Sequence, residues 1–170
     1  DKNSLLANTI SAVGKRDSII PPNTKEKGIW LWTPIMEITP KYRDEIVGNA
    51  KKNGVNVIYM SIDSYLDLYV MADGAKKKEW KEKFDSIVSD FIVTANRAGI
   101  EVDAEAGWRN WAEDGHSYKA FAVLDYAVKF NKSHKSTFRG FQYDVEPYVL
   151  DYYKKNKKVV LVNFLDLINE

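Results

Sequence analysis

The sequence predicts an α/β fold, and three observations carry that reading. Short β-branched and aromatic runs alternate with longer stretches of helical spacing, four times over, between Gly28 and Glu170. The connections are short, which implies parallel strands joined by right-handed crossovers. Each strand divides into a polar and an apolar face, whereas strands covered by helices on both sides are apolar on both. A complete eight-unit barrel takes ~250 residues. Four β-α units in a chain of 170 residues therefore correspond to a half or truncated (β/α)8 TIM-type barrel. The alternative is a flavodoxin-like doubly wound sheet.

Residues 1–27 read as a leader or linker segment. One apolar patch, "SLLANTISAV", is followed by Pro21-Pro22 and the charged "TKEK", and the segment is expected to wrap the surface or to be partly mobile. The half-barrel domain then spans 28–170. "GIWLWTP" is the first strand, ended by Pro34, and "TPKYRDEIVGNAKKNG" the first helix, with Thr39 as N-cap, Pro40 at its first position and Gly54 as its stop. "VNVIYMSID" is the second strand. The second helix, "KKKEWKEKFDSIVSDFIVTANRAG", places Trp80, Phe84, Ile87, Val88, Phe91, Ile92 and Ala95 at helical spacing and stops at Gly99. "IEVDAEAGW" is the third strand, "SYKAFAVLDYAVKFN" a helix capped by Ser117, "FRGFQYDVEPY" the fourth strand and "KKVVLVNFLDLINE" the last helix.

Composition narrows the partners. Twenty-five basic and 24 acidic residues leave a formal charge of +1, so nothing favours nucleic acid or an anionic membrane surface. No apolar run reaches the ~20 residues of a membrane span, and no signal peptide is read at Asp1, so the expectation is a soluble chain. The absence of cysteine excludes disulfides and thiolate sites. It leaves the compartment open, with the cell exterior slightly ahead of the cytosol. Aromatic residues make up 13% of the chain, with five Trp and ten Tyr, and flat amphipathic rings suit ligands that are polar at their edges and apolar on their faces. Sugars are such ligands.

Alternation assigns the polar face. In the fourth strand Gln142, Asp144 and Glu146 share one side, opposite Phe141, Tyr143 and Val145. Glu101, Asp103 and Glu105 do the same in the third strand, and Tyr59, Ser61 and Asp63 in the second, with Trp30 and Trp32 joining them from the first. Barrel chemistry sits at the carboxyl ends of strands, which here hold Asp63, Glu105, Asp144 and Glu146.

"FRGFQYDVE", from Phe138 to Glu146, resembles the strand-four signature of chitinase-type glycoside hydrolases, DGxDxDxE, through Gly140, Asp144 and Glu146. Arg139 and Gln142 stand where that signature has its first two Asp residues. "YDVEPY" is also similar to the D-[VI]-E-P-[YH] strand end of a group of bacterial barrel hydrolases, in which a Trp-Ala stretch like "GWRNWAEDG" follows the third strand. The resemblance spans about Gly28 to Glu170. It implies glycosidic hydrolysis with Glu146 as general acid and Asp144 assisting a substrate acetamido nucleophile. By chemistry alone, Glu146 could also pair with Glu105, since adjacent strands lie ~4.8 Å apart and retaining enzymes hold their carboxyls ~5.5 Å apart.

Each candidate also has a plain structural reading. Asp144 and Glu146 could bind Arg139, Arg109 or backbone amides, and Trp30 and Trp32 could be core. Trp108, Trp111 and Tyr148 stand at polar loops as candidate sugar-stacking residues, and Gln142 and Asp103 as candidate polar contacts. His116 and His134 read as surface residues. No metal spacing, phosphate loop or cofactor motif is present. Two function classes follow, a barrel glycosidase and a non-catalytic carbohydrate-binding or assembly module. A half-barrel would leave two open sheet edges, so a second copy or a missing carboxyl-terminal half is expected to pair with it.

Overall fold

Strand β1 (Gly28–Leu31) opens a parallel sheet that continues with β2 (Val57–Ser61), β3 (Glu101–Ala106) and β4 (Phe141–Tyr143) in the order β1-β2-β3-β4. A computed structural model of the chain supplies this architecture and describes residues 18–113 and 115–170. The expectations placed on residues 1–17 and on Asp114 fall outside that description.

The sequential order corrects the flavodoxin-like alternative. A doubly wound sheet reverses direction at a switch point, and no reversal occurs among these four strands. Its helices cover one face. Ile58, Met60 and Val102, with Ile62 just beyond β2, share one apolar core with Phe84, Val88 and Phe91 of α3 (Ala75–Arg97) and with Val123 and Phe130 of α4 (Ser117–Ser133). Burying each such side chain contributes roughly 1.5–3 kcal/mol. Ala104 and Ala106 are small enough to let the helices approach β3 at its centre.

Local chemistry sets the helix ends. The Thr39 side chain accepts from the Tyr42 amide at 3.2 Å to start α1 (Pro40–Lys52), and Gly54, at φ +68°, takes the left-handed turn after it. Gly99, at φ +81°, does the same after α3. Four expectations change. Ser117 lies inside α4, whose N-cap position is His116 without a side-chain hydrogen bond. A short helix, α2 (Tyr65–Val70), follows β2, where no helical periodicity is long enough to register. The last helix, α5 (Tyr153–Asn169), starts ahead of its apolar run and bends at Asn156. Trp80, placed with the core residues of α3, is exposed and lies under the Lys76 ammonium at 5.9 Å.

Residues ahead of β1 run along the sheet's other face. Glu101, fully buried at the start of β3, accepts from the Ile19 amide at 2.6 Å and from the Ser18 hydroxyl at 3.2 Å. Glu26 bonds Arg139 at 2.9 Å and receives the Tyr59 hydroxyl. The part of the leader from Ser18 onward is thus packed against the domain.

Candidate functional site

The polar face rises in rungs set by the sheet register. Trp30, Tyr59 and Asp103 share one rung, and Ser61, Glu105 and Gln142 the next. Beyond the ladder, the Gly107 amide donates to Asp63 at 3.1 Å and the Asp144 amide donates to the Ala106 carbonyl at 3.0 Å. These two bonds bring Asp63, Gly107 and Asp144 to one level at the carboxyl ends of β2, β3 and β4.

The lower rung is a closed network. Arg139 grips Asp103 in a bidentate pair, Nε to Oδ1 at 2.9 Å and Nη2 to Oδ2 at 2.5 Å, and reaches Glu26 with its third nitrogen. The Arg139 hydrogen bond, followed by that of Tyr59, holds the Glu26 carboxyl below its ordinary range. The bond to Glu26, with burial behind it, pushes the Tyr59 hydroxyl up to about 12. Trp30 lies against Tyr59 with ring centroids 4.9 Å apart. Asp103, Tyr59 and Trp30 are therefore engaged with protein partners, and Arg139, standing where the chitinase-type signature has Asp, is the reason for Asp103.

The upper rung has a different character. Glu105 is 0% exposed, and among the described residues neither of its carboxyl oxygens has a hydrogen-bond partner. Burial, then the neighbouring charges of Asp63 and Asp144, push it up to about 8, with the nearby Ser61 hydroxyl opposing the rise without forming a bond of good geometry. Asp63 is pushed up to about 6, again chiefly by burial, against the Gly107 amide and Ser61. Asp144 is raised by burial first and by Glu146 second.

A cavity of about 330 Å³ opens at this end of the sheet, lined by Trp32, Trp108, Asp144 and Glu146. Gly107, Arg109 and Val149 complete its wall. Trp32 and Trp108 are 57% and 59% exposed, and Tyr148 donates its hydroxyl to Glu146. Glu105 and Asp63 lie behind this surface and do not line it.

The cavity thus gathers four of the residues singled out from sequence. Trp111 is a correction: at 2% exposure it belongs to the apolar core, because the loop after β3 turns its ring inward. Asp144 and Glu146 also lie past the β4 ladder, which ends at Tyr143, so their shared side comes from the chain's course beyond the sheet. Gly107 and Val149 escaped the sequence reading, which named Arg109 only as a structural partner for the carboxyls. A signal for Gly107 existed, since a glycine directly after a buried strand marks close backbone approach. A Cβ there would stand 2.1 Å from the Asp144 carbonyl oxygen. Among the described residues no group of three or more His, Cys, Asp or Glu has the geometry to hold a metal ion.

No protein-family model, no curated protein and no solved structure matches this chain.

Proposed function

We propose that the chain is a carbohydrate-active domain built as the first half of a (β/α)8-type barrel, with Glu146 as general acid and Asp144 assisting it. One observation carries this reading: Asp144 and Glu146 line a single cavity at the carboxyl ends of parallel strands, between two exposed tryptophans. The cavity suits one or two sugar rings, with Trp faces for their apolar sides and carboxyls for their hydroxyls. The sequential sheet order with helices on one face supports the reading of a barrel segment.

In the proposed reaction the Glu146 carboxyl gives its proton to the glycosidic oxygen as the bond from the anomeric carbon to that oxygen breaks. The leaving sugar departs as an alcohol. Asp144 orients the neighbouring group or water that meets the oxocarbenium-like centre, and Glu146, now a carboxylate, takes a proton from the incoming water.

A second reading, binding without cleavage, is favoured by Gln142, an amide where the signature has a carboxylate, on the same rung as Glu105. Glu146→Gln separates the two. A hydrolase loses turnover of its oligosaccharide by roughly a hundredfold or more while keeping affinity. Unchanged turnover overturns the proton-donor role, and a wild-type chain that binds oligosaccharide without any turnover selects the binding module.

A further inference from the structure

Four carboxyl side chains converge at the carboxyl ends of three strands, and the groups around them supply little positive charge. β2 and its extension contribute Ser61 and Asp63, β3 contributes Glu105, and the chain beyond β4 contributes Asp144 and Glu146 with Tyr148 bonded to the latter. Trp32 stands beyond β1. Among the described residues lining the cavity, Arg109 is the lone cation, and its guanidinium lies 5.9 Å from the Trp108 ring centre.

Glu105 adds an independent sign. It is wholly buried behind the cavity, and among the described residues neither oxygen makes a hydrogen bond of good geometry. A buried carboxyl without a partner is costly to keep in a fold, and it is satisfied when a donor or a positive charge arrives beside it.

We infer that the sugar taken by this site carries a free ammonium group, seated at Asp144 with Asp63 and Glu105 behind it and an exposed Trp ring alongside, which leaves Glu146 to its proton-donor role. The inference rests on the carbohydrate reading above and names the substrate class. An ammonium offers three donors to a set of groups that are mostly acceptors. It is also attracted to the face of a tryptophan ring. An N-acetylated amine is neutral and turns a carbonyl oxygen toward carboxyl oxygens, and an acidic sugar is repelled outright.

The same arrangement couples binding to protons. Burial keeps Glu105 at about 8 and Asp63 at about 6, and an arriving cation pulls both down. At about pH 5.5, where a sugar amine arrives already protonated, the site therefore releases protons to the buffer as the ammonium binds.

Titration calorimetry of the intact chain at about pH 5.5 tests this with three matched oligomers: β-1,4-linked glucosamine, its N-acetylated form and β-1,4-linked glucose, each in two buffers of different ionisation enthalpy. The expected result is at least about tenfold tighter binding of the glucosamine oligomer, weakened by salt, with proton release only for that ligand. Glu105→Gln should reduce that affinity about tenfold and reduce the proton release. Should this variant fail to fold, the buffer comparison on the wild-type chain decides alone. Equal or tighter binding of either neutral oligomer, or glucosamine binding without proton release, overturns the ammonium inference while the carbohydrate reading stands. Binding of none of the three overturns the carbohydrate reading itself.

Discussion

Glu105 shows how far a single residue's surroundings can depart from what its type prefers. A glutamate on a central strand is ordinarily paired, and the neighbouring Asp103 is, through Arg139. Glu105 has no such partner, and its proton takes the place of one. This makes stability fall as pH rises. Between the ordinary carboxyl range and about 8 the folded chain binds a proton at Glu105 that the unfolded chain has released, so unfolding becomes easier with each step up in pH. Asp63 adds to the slope up to about 6. Thermal unfolding followed by circular dichroism from pH 5 to pH 9 should show Tm falling by at least about 5 °C, with a clearly shallower fall in Glu105→Gln. A wild-type Tm that rises across this window would contradict the buried, protonated state.

At the scale of elements, the site depends on how closely the end of β3 approaches the chain leaving β4. Gly107 donates to Asp63 while its own Cα faces the Asp144 backbone, leaving no room for a methyl group. Gly107→Ala should therefore lower stability by about 1–3 kcal/mol, seen as a Tm loss of several degrees, and weaken ligand binding by displacing Asp144. Gly48 makes the informative contrast. It lies on the exposed side of α1 with nothing within 4 Å of an added Cβ. Gly48→Ala should raise stability by about 0.5–1 kcal/mol through helix propensity and leave binding unchanged. Calorimetry on both variants checks the pair.

Among the described residues the sheet ends in two outer strands, β1 and β4, and an unevenly covered helix packs against the turn after β4. On α5, Val160 and Leu167 are buried and Phe164 packs against the core, while Leu161, Val162, Leu165 and Ile168 are exposed on the adjoining flank. A continuous apolar flank beside a strand edge is where a further β-α unit would pack. The proposed half-barrel thus predicts self-association or capture of further β-α units. Light scattering on the chain alone should give a mass above its 19.5 kDa, reduced to the monomer by Leu165→Lys with Ile168→Lys. A clean monomer at every concentration would overturn the open half-barrel.

The sequence by itself determined the α/β class, the strand count and the two-faced strands, because period-2 and helical spacing, Thr39 and the stop glycines are local signals. It also located the carboxyls that meet at the strand ends. Only the tertiary structure decided what each of them meets. Asp103 is neutralised by Arg139 from 36 residues away, Glu105 is left without a donor, and Trp111 turns into the core while Trp108 stays outside. Alternation assigns a side chain to a face of the sheet. Which groups arrive opposite it depends on sheet order, register and the paths of loops, and these are settled by packing between residues far apart in the chain.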